Sequence, residues 1–294
     1  MNLLATVLQI VAPVFLLAGI GFAWVKAGFD YPTEFVTKLS MTFALPCLIF
    51  VSLMQTEIDP TALTALALAS IAAYAVLAVV FWTGIKLAGM RTDVFVAPMI
   101  FGNTGNLGLP LALFAFGQIG LSYAVVILAV MSVMAFSFGI WLVSGGGSLW
   151  KVVKEPIVAA TLLGALFLWQ GWETPEFLTN SIQLAGQMAI PLMLITLGVA
   201  VARLSPEHMA KATIISAVKL VVSVAVAKGV AQFFVLDQIA YAVLVVQVAT
   251  PIAVTSYLVA QKYGAEAETV AGLVVASTLL SVGYLPLLLV FLLP

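Results

Sequence analysis

Five prolines in the first half of the chain, Pro13, Pro32, Pro46, Pro60 and Pro110, are matched in the second by Pro156, Pro175, Pro191, Pro206 and Pro251, at offsets of 141–146 residues. Local sequence follows them. PVFLLAGIGFAWVKAGFDYPTEF at Pro13 reads like PIVAATLLGALFLWQGWETPEF at Pro156, and Gly28 matches Gly171. One unit of about half the length is therefore used twice. The chain that carries this duplication is 64% hydrophobic and 8% charged, with a mean hydropathy of +1.22, whereas soluble domains are roughly 25% charged. A duplicated, apolar chain points to a transporter built from two membrane repeats.

Apolar stretches of about 20 residues, each long enough to cross a bilayer core, are read at 4–26, 34–55, 61–88, 93–116, 120–143, 155–171, 177–202, 209–235, 238–262 and 267–293. The expected fold class is all-α integral membrane, with ten transmembrane helices in two inverted five-helix repeats. Breaks fall at 28–32, 59–60, 89–93, 117–120, 145–148, 171–175, 205–206, 236–237 and 263–264. The expected units are repeat 1–143, linker 144–154 and repeat 155–294. Lys26, Lys38, Lys86, Arg91, Lys151, Lys154, Arg203, Lys211 and Lys262 lie in or beside alternate loops, while Glu57, Asp59, Glu173, Glu176 and Asp237 mark the others. Because Lys and Arg mark the cytoplasmic side, both termini are expected outside, and five helices per repeat invert the second repeat. No Lys or Arg precedes Lys26, so the first stretch lacks the basic start of a signal peptide and is expected to be retained.

The fourth stretch contains FGNTGNLGLP at 101–110. Gly102, Gly105, Gly108 and Pro110 make a poor helix, since proline removes a donor and each glycine costs about 1 kcal/mol against alanine. Unpaired backbone cannot face lipid, so the segment must lie within protein or line a wet cavity. The corresponding ninth stretch, QVATPIAVTS at 247–256, is expected to break more mildly at Pro251, with Gln247, Thr250, Thr255 and Ser256 nearby. Two interrupted helices in inverted repeats should cross near the midplane, with half-helix N-termini suited to a carboxylate. Asn103 and Asn106 can donate to it, or can simply cap the broken ends. The glycine spacing is no nucleotide fingerprint, since it follows no strand and lacks a Lys-Ser/Thr pair.

Asn103-Thr104 with Gly108-Leu109-Pro110, and Pro251 with AQKYG at 260–264, resemble the auxin efflux carrier family, which includes bacterial members and the plant PIN-FORMED carriers. The resemblance spans all ten stretches. It implies a fold like the bile acid:sodium symporters, with helices 4 and 9 crossed. Helices 1, 2, 6 and 7 would form a scaffold, and helices 3–5 and 8–10 a transport domain. It further implies elevator-type transport of organic anions by a dimer joined through the scaffold, placed in a bacterial inner membrane. By that resemblance Asn103 would bind substrate and Pro110 and Pro251 would be the crossing prolines; from their places in the two broken segments, Thr104, Asn106, Gln247, Thr250 and Ile252 are expected around the substrate as well. The short central loop, and Ile252 where plant members tend to be polar, set this chain apart from auxin carriers.

No Asp or Glu lies deep in a stretch. Lys219 and Lys228 do lie inside the eighth. Each can snorkel to an interface, or sit at the crossing to offset carbonyl ends, stand where related symporters hold sodium, or attract an anion. Nine residues at 100° each put them on opposite faces, and the small neighbours Ala225, Ala227 and Gly229 favour Lys228 as the one at the crossing. Met41, Met54, Met188 and Met193 read as packing, with the scaffold side of the site as an alternative. His208 reads as a solvated loop residue and Cys47 as packing. One histidine, one cysteine and no HExxH leave little chemistry for catalysis, so no enzyme, metal site or cofactor is expected. The net charge of −1 argues against nucleic acid, and the expected partners are the bilayer and a small organic anion, a carboxylate of auxin-like or dicarboxylate type. A sodium-coupled symporter is the alternative within transport, and a membrane sensor the alternative outside it.

Overall fold

The structure is a computed structural model and describes residues 3–144, 155–203, 209–263 and 265–293. The linker body 145–154, His208 and the break at 205–206 lie outside the described residues. Among those described, the chain is helical throughout, apart from one isolated antiparallel bridge.

Helix α1 spans Leu3–Lys26. Helix α2, Thr33–Leu39, passes through a π turn at Ser40–Ala44 into α3, Leu45–Met54. The wider turn just before Pro46 accommodates a residue whose ring would clash with the preceding turn of a regular helix. Helix α4, Pro60–Leu87, starts cleanly. Asp59 Oδ1 accepts from Thr61 N at 2.7 Å, and Pro60 occupies the first turn, where its missing N–H costs nothing. Helix α5, Thr92–Ile100, stops short, and the chain resumes through a π turn at Thr104–Gly108 into α6, Leu109–Met134. Gly117 divides α6 with φ 65 and ψ −156, a conformation only glycine adopts easily. A third π turn, Ala135–Gly139, leads to α7, Ile140–Ser144.

The second half begins with α8, Pro156–Gln170, which ends on left-handed Gly171 (φ 63). Helices α9, Glu176–Gln187, and α10, Ala189–Arg203, meet at Met188, three residues before Pro191. Neither this interruption nor the π turn at 40–44 was expected from sequence. Helix α11 spans Met209–Ala231, α12 Gln238–Val248, α13 Val254–Tyr263 and α14 Ala267–Leu292. The break around Pro251 is not mild. Residues 249–253 leave the helix entirely, and α12 and α13 are as separate as α5 and α6.

Seven helical runs among the described residues are long and apolar enough to cross a membrane, while Pro156–Gln170 and Gln238–Val248 are apolar but shorter. One of the seven, Thr104–Val143, is the run bent at Gly117. Large apolar side chains such as Leu16, Val79, Ile214 and Phe291 face outward, as lipid contact requires and water would not favour. The chain is an all-α membrane protein. Its helices pack in two groups. Helix α1 lies along α10 so closely that a methyl at Gly198 would fall 1.7 Å from Ala18 O, the close approach that small residues permit between helices in lipid. Helix α3 packs on α8 and α9. In the other group α11 lies against α4, α12 and α14, and α6 against α4 and α12. The broken segments are held in this second group.

Candidate functional site

The two non-helical segments cross antiparallel and pair at Gly102 and Ile252. Asn103 N donates to Pro251 O at 2.7 Å, and Ala253 N to Phe101 O at 3.5 Å. Each helix therefore offers its broken backbone to the other, which answers the requirement that buried N–H and C=O groups find partners. Small residues make the approach possible: a methyl at Gly102 would lie 2.2 Å from Thr250 Oγ1, and one at Gly108 2.0 Å from Gln247 Oε1.

Neighbouring helices satisfy what remains. Ile252 N donates to Ser277 Oγ (3.0 Å), Tyr284 OH donates to Ala249 O (2.6 Å), and Lys219 Nζ donates to Thr250 O (2.8 Å). Both carbonyls follow the C-terminal end of α12, where aligned peptide dipoles concentrate negative potential and a cation is favoured. Sequence reasoning missed Ser277 and Tyr284. The available signal was Ser277, Ser281 and Tyr284 on one face of an otherwise apolar helix, at spacings of four and three.

The expectation that Lys228 faces the crossing is overturned. Lys219 is 2% exposed and bonded there, while Lys228 is exposed on the far side of α11. Ala212, Ser216, Lys219, Ser223 and Ala227 form the buried stripe. The two lysines do point oppositely, but of the small neighbours only Ala227 is buried, and Ala225 and Gly229 lie on the exposed face with Lys228.

Beside the crossing is a cavity of about 130 Å³. Gly102, Asn103, Gly105 and Asn106 line it from one broken helix, and Ala253, Val254, Thr255 and Ser256 from the other. It extends toward the helix ends that carry Asp93, Val143 and Ile157, beside the basic loops. Asn103 is 5% exposed, and its Nδ2 has no hydrogen-bond partner among the described residues. Asn103 also occupies the N-cap of the resumed helix, its carbonyl accepting from Leu107 N and Gly108 N, both at 3.1 Å. The next N–H groups along have no intrahelical partner, and Val254 and Thr255 stand at the same point of α13. Two helix N-termini and a buried amide donor thus converge on one cavity.

Of the other residues expected in the site, Thr104, Gln247, Thr250 and Ile252 are fully buried and lie off the cavity wall. Thr104 Oγ1 and both amide atoms of Gln247 lack partners among the described residues. Pro251 is buried in the segment it interrupts, whereas Pro110 is buried in the first turn of α6, past the pairing of Gly102 with Ile252, and so is not a crossing proline. Met41 reaches the cavity from the π turn of the second stretch, and Met193 lies against Gly105. Met54 is buried in a small cluster with Phe50 and Val51, and Met188 is exposed.

A second, larger cavity of about 1300 Å³ opens among the acidic loop ends, lined by Gln55, Glu57, Asp59, Gln183 and Asp237. Asp237 there caps α12 through Ala240 N at 2.8 Å and accepts a hydrogen bond from Tyr123 OH. At the basic end, Arg91 pairs with Asp93 (2.5 Å) and Glu266 (3.0 Å), tying the start of α5 to the start of α14. No cluster of His, Cys, Asp and Glu suited to a metal occurs among the described residues.

A family profile described as "Membrane transport protein" matches residues 6–148 and 141–289. An uncharacterized transporter of Methanothermobacter thermautotrophicus is 31% identical over 193 residues, which cover 63% of this chain and 63% of that relative's length. These matches agree with the resemblance carried by Asn103, Pro110 and Pro251, and the chain belongs to the membrane transport protein family, of auxin efflux carrier type.

Proposed function

We propose that this protein is a secondary carrier of small organic anions, and that a substrate carboxylate binds beside the crossing. The observation that carries this reading is the Asn103 amide, buried on the cavity wall, with Nδ2 unpartnered among the described residues and flanked by two helix N-termini. Neutral donors of this kind hold an anion without burying a compensating charge beside it. Lys219 offsets the carbonyl side of the same crossing. The Lys219 amine donating to Thr250 O stands where a bound cation would otherwise meet those carbonyls, which favours transport without sodium over the sodium-coupled alternative.

The reading extends to the whole chain. Ten spans in two inverted five-helix repeats would place both termini outside and the basic loops in the cytoplasm. The α1–α3 and α8–α10 group would be a scaffold through which two copies dimerise, and the remaining helices would move past it as a body. The cavity beside the crossing reaches toward basic helix ends and a second cavity lies among acidic ones, which supports alternating exposure of one site. Purified protein in liposomes tests the proposal. Uptake of radiolabelled carboxylates should be saturable and should persist when sodium is replaced by choline. Absence of uptake of every carboxylate, at verified reconstitution, would reject it, and strict dependence on sodium would favour the symporter.

A further inference from the structure

We infer that the cavity selects compact monocarboxylates and rejects both dicarboxylates and bulky aromatic acids, an inference that rests on the carboxylate reading of Asn103. Two independent features lead there. The first is the distribution of polarity. Donors come from Asn103, Asn106 and the two helix N-termini, whereas much of the remaining lining is apolar, including Leu45, Leu128, Met131 and Phe136, with Ser132 the one hydroxyl that α6 contributes. No Lys or Arg lines the cavity among the described residues, and its single charged lining residue is Asp93, an anion. A first carboxylate finds donors. A second one on the same molecule would find only the Ser132 hydroxyl and no cation, since the one lining charge, Asp93, is already paired with Arg91, and an ionised carboxylate without charged or multiple hydrogen-bonding partners is strongly disfavoured.

The second feature is size. The cavity holds about 130 Å³, and an apolar protein cavity of about 150 Å³ accepts a benzene-sized body. A carboxylic acid of about six to nine non-hydrogen atoms in all, with a branched aliphatic or single-ring body, fills such a space. A fused bicyclic acid such as indole-3-acetate exceeds it, whereas succinate does not, so charge and volume exclude different molecules. The wall also fixes which residue sets the size limit. Met131, on α6, is 9% exposed and lines the cavity, and shortening it enlarges the apolar space without removing any of the donors.

The test is competition for binding of radiolabelled isovalerate to the purified full chain in detergent. Isovalerate, isobutyrate and benzoate should compete with similar strength, succinate and malonate at least tenfold more weakly, and indole-3-acetate not measurably. In Met131→Ala, indole-3-acetate should become a competitor while succinate stays excluded. Succinate or malonate binding as well as isovalerate overturns the inference and leaves the carboxylate reading standing. Competition by indole-3-acetate in the wild type, or no change in its exclusion on Met131→Ala with folding verified by thermal denaturation, overturns the size argument. Binding by no acid of the panel rejects the carboxylate reading itself.

Discussion

Gly102→Ala probes the contact on which the crossing depends. The added methyl would lie 2.2 Å from Thr250 Oγ1, 3.1 Å from Thr250 O and 3.4 Å from Thr250 Cβ. Thr250 cannot simply turn aside, because Oγ1 donates to Gln247 O at 2.7 Å and the carbonyl is held by Lys219. Overpacking of this kind costs about 1–3 kcal/mol. Thr250→Ala alone loses one neutral hydrogen bond, about 0.5–1.5 kcal/mol, and removes the closest clashing atom. The double variant should therefore be more stable than the sum of the two changes predicts, by about 1–2 kcal/mol, as expected of residues in direct contact. Equilibrium unfolding of all four proteins in mixed detergent micelles measures this coupling. Additive losses, or a Gly102→Ala protein as stable as wild type, would show that the two segments do not approach as described.

Three further outcomes follow from the same structure. Lys219→Met leaves the Thr250 carbonyl buried without its partner, at a cost of about 1–3 kcal/mol, and should abolish isovalerate uptake, whereas Lys228→Met should stay within about 0.5 kcal/mol of wild type and remain active. Liposome uptake at equal amounts of folded protein, alongside detergent unfolding, checks both. Hydrogen bonds from Thr61 hold the Asp59 carboxyl below its ordinary range, so the cap on α4 should persist through mild acid and weaken only as pH falls through that lowered value. Asp59→Asn should be indifferent to acid in that range, which thermal denaturation against pH measures. Cysteines placed at Asp30 and Glu57 in a Cys47→Ala background should label oppositely with an impermeant thiol reagent in intact cells, Glu57→Cys reacting and Asp30→Cys not; the reverse pattern would overturn the assigned orientation.

The breaks were legible in the sequence because they rest on residues with one physical meaning. Glycine and proline in an apolar span announce a helix that cannot continue, and the chain does leave the helix at 101–103 and 249–253. What the sequence concealed was who completes the crossing. Lys219 and Lys228 have the same composition signal, and only the register of α11 against α12 and α14 separates them. Ser277 and Tyr284 look like ordinary polar residues of a long helix until the orphaned groups at Ile252 and Ala249 lie beside them. Gln247, Thr250 and Ile252 were grouped with the cavity because they adjoin Pro251 in sequence. The extended segment turns them into the protein interior and presents Ala253 to Ser256 instead. The π turns at 40–44 and 135–139, both adjoining the cavity, carry no signal beyond Pro46 in the first case and none that we recognise in the second.

The central claim is that the Asn103 amide receives the substrate carboxylate. Equilibrium binding of radiolabelled isovalerate to purified wild type, Asn103→Ala and Asn103→Asp tests it most directly, with thermal denaturation confirming that each variant is folded. Loss of one hydrogen bond to a charged group is worth about 1.5–3 kcal/mol, so Asn103→Ala should bind roughly 10- to 150-fold more weakly. Asn103→Asp should bind more weakly still, since it places like charge against the anion. A folded Asn103→Asp protein that binds isovalerate as tightly as wild type would contradict the account.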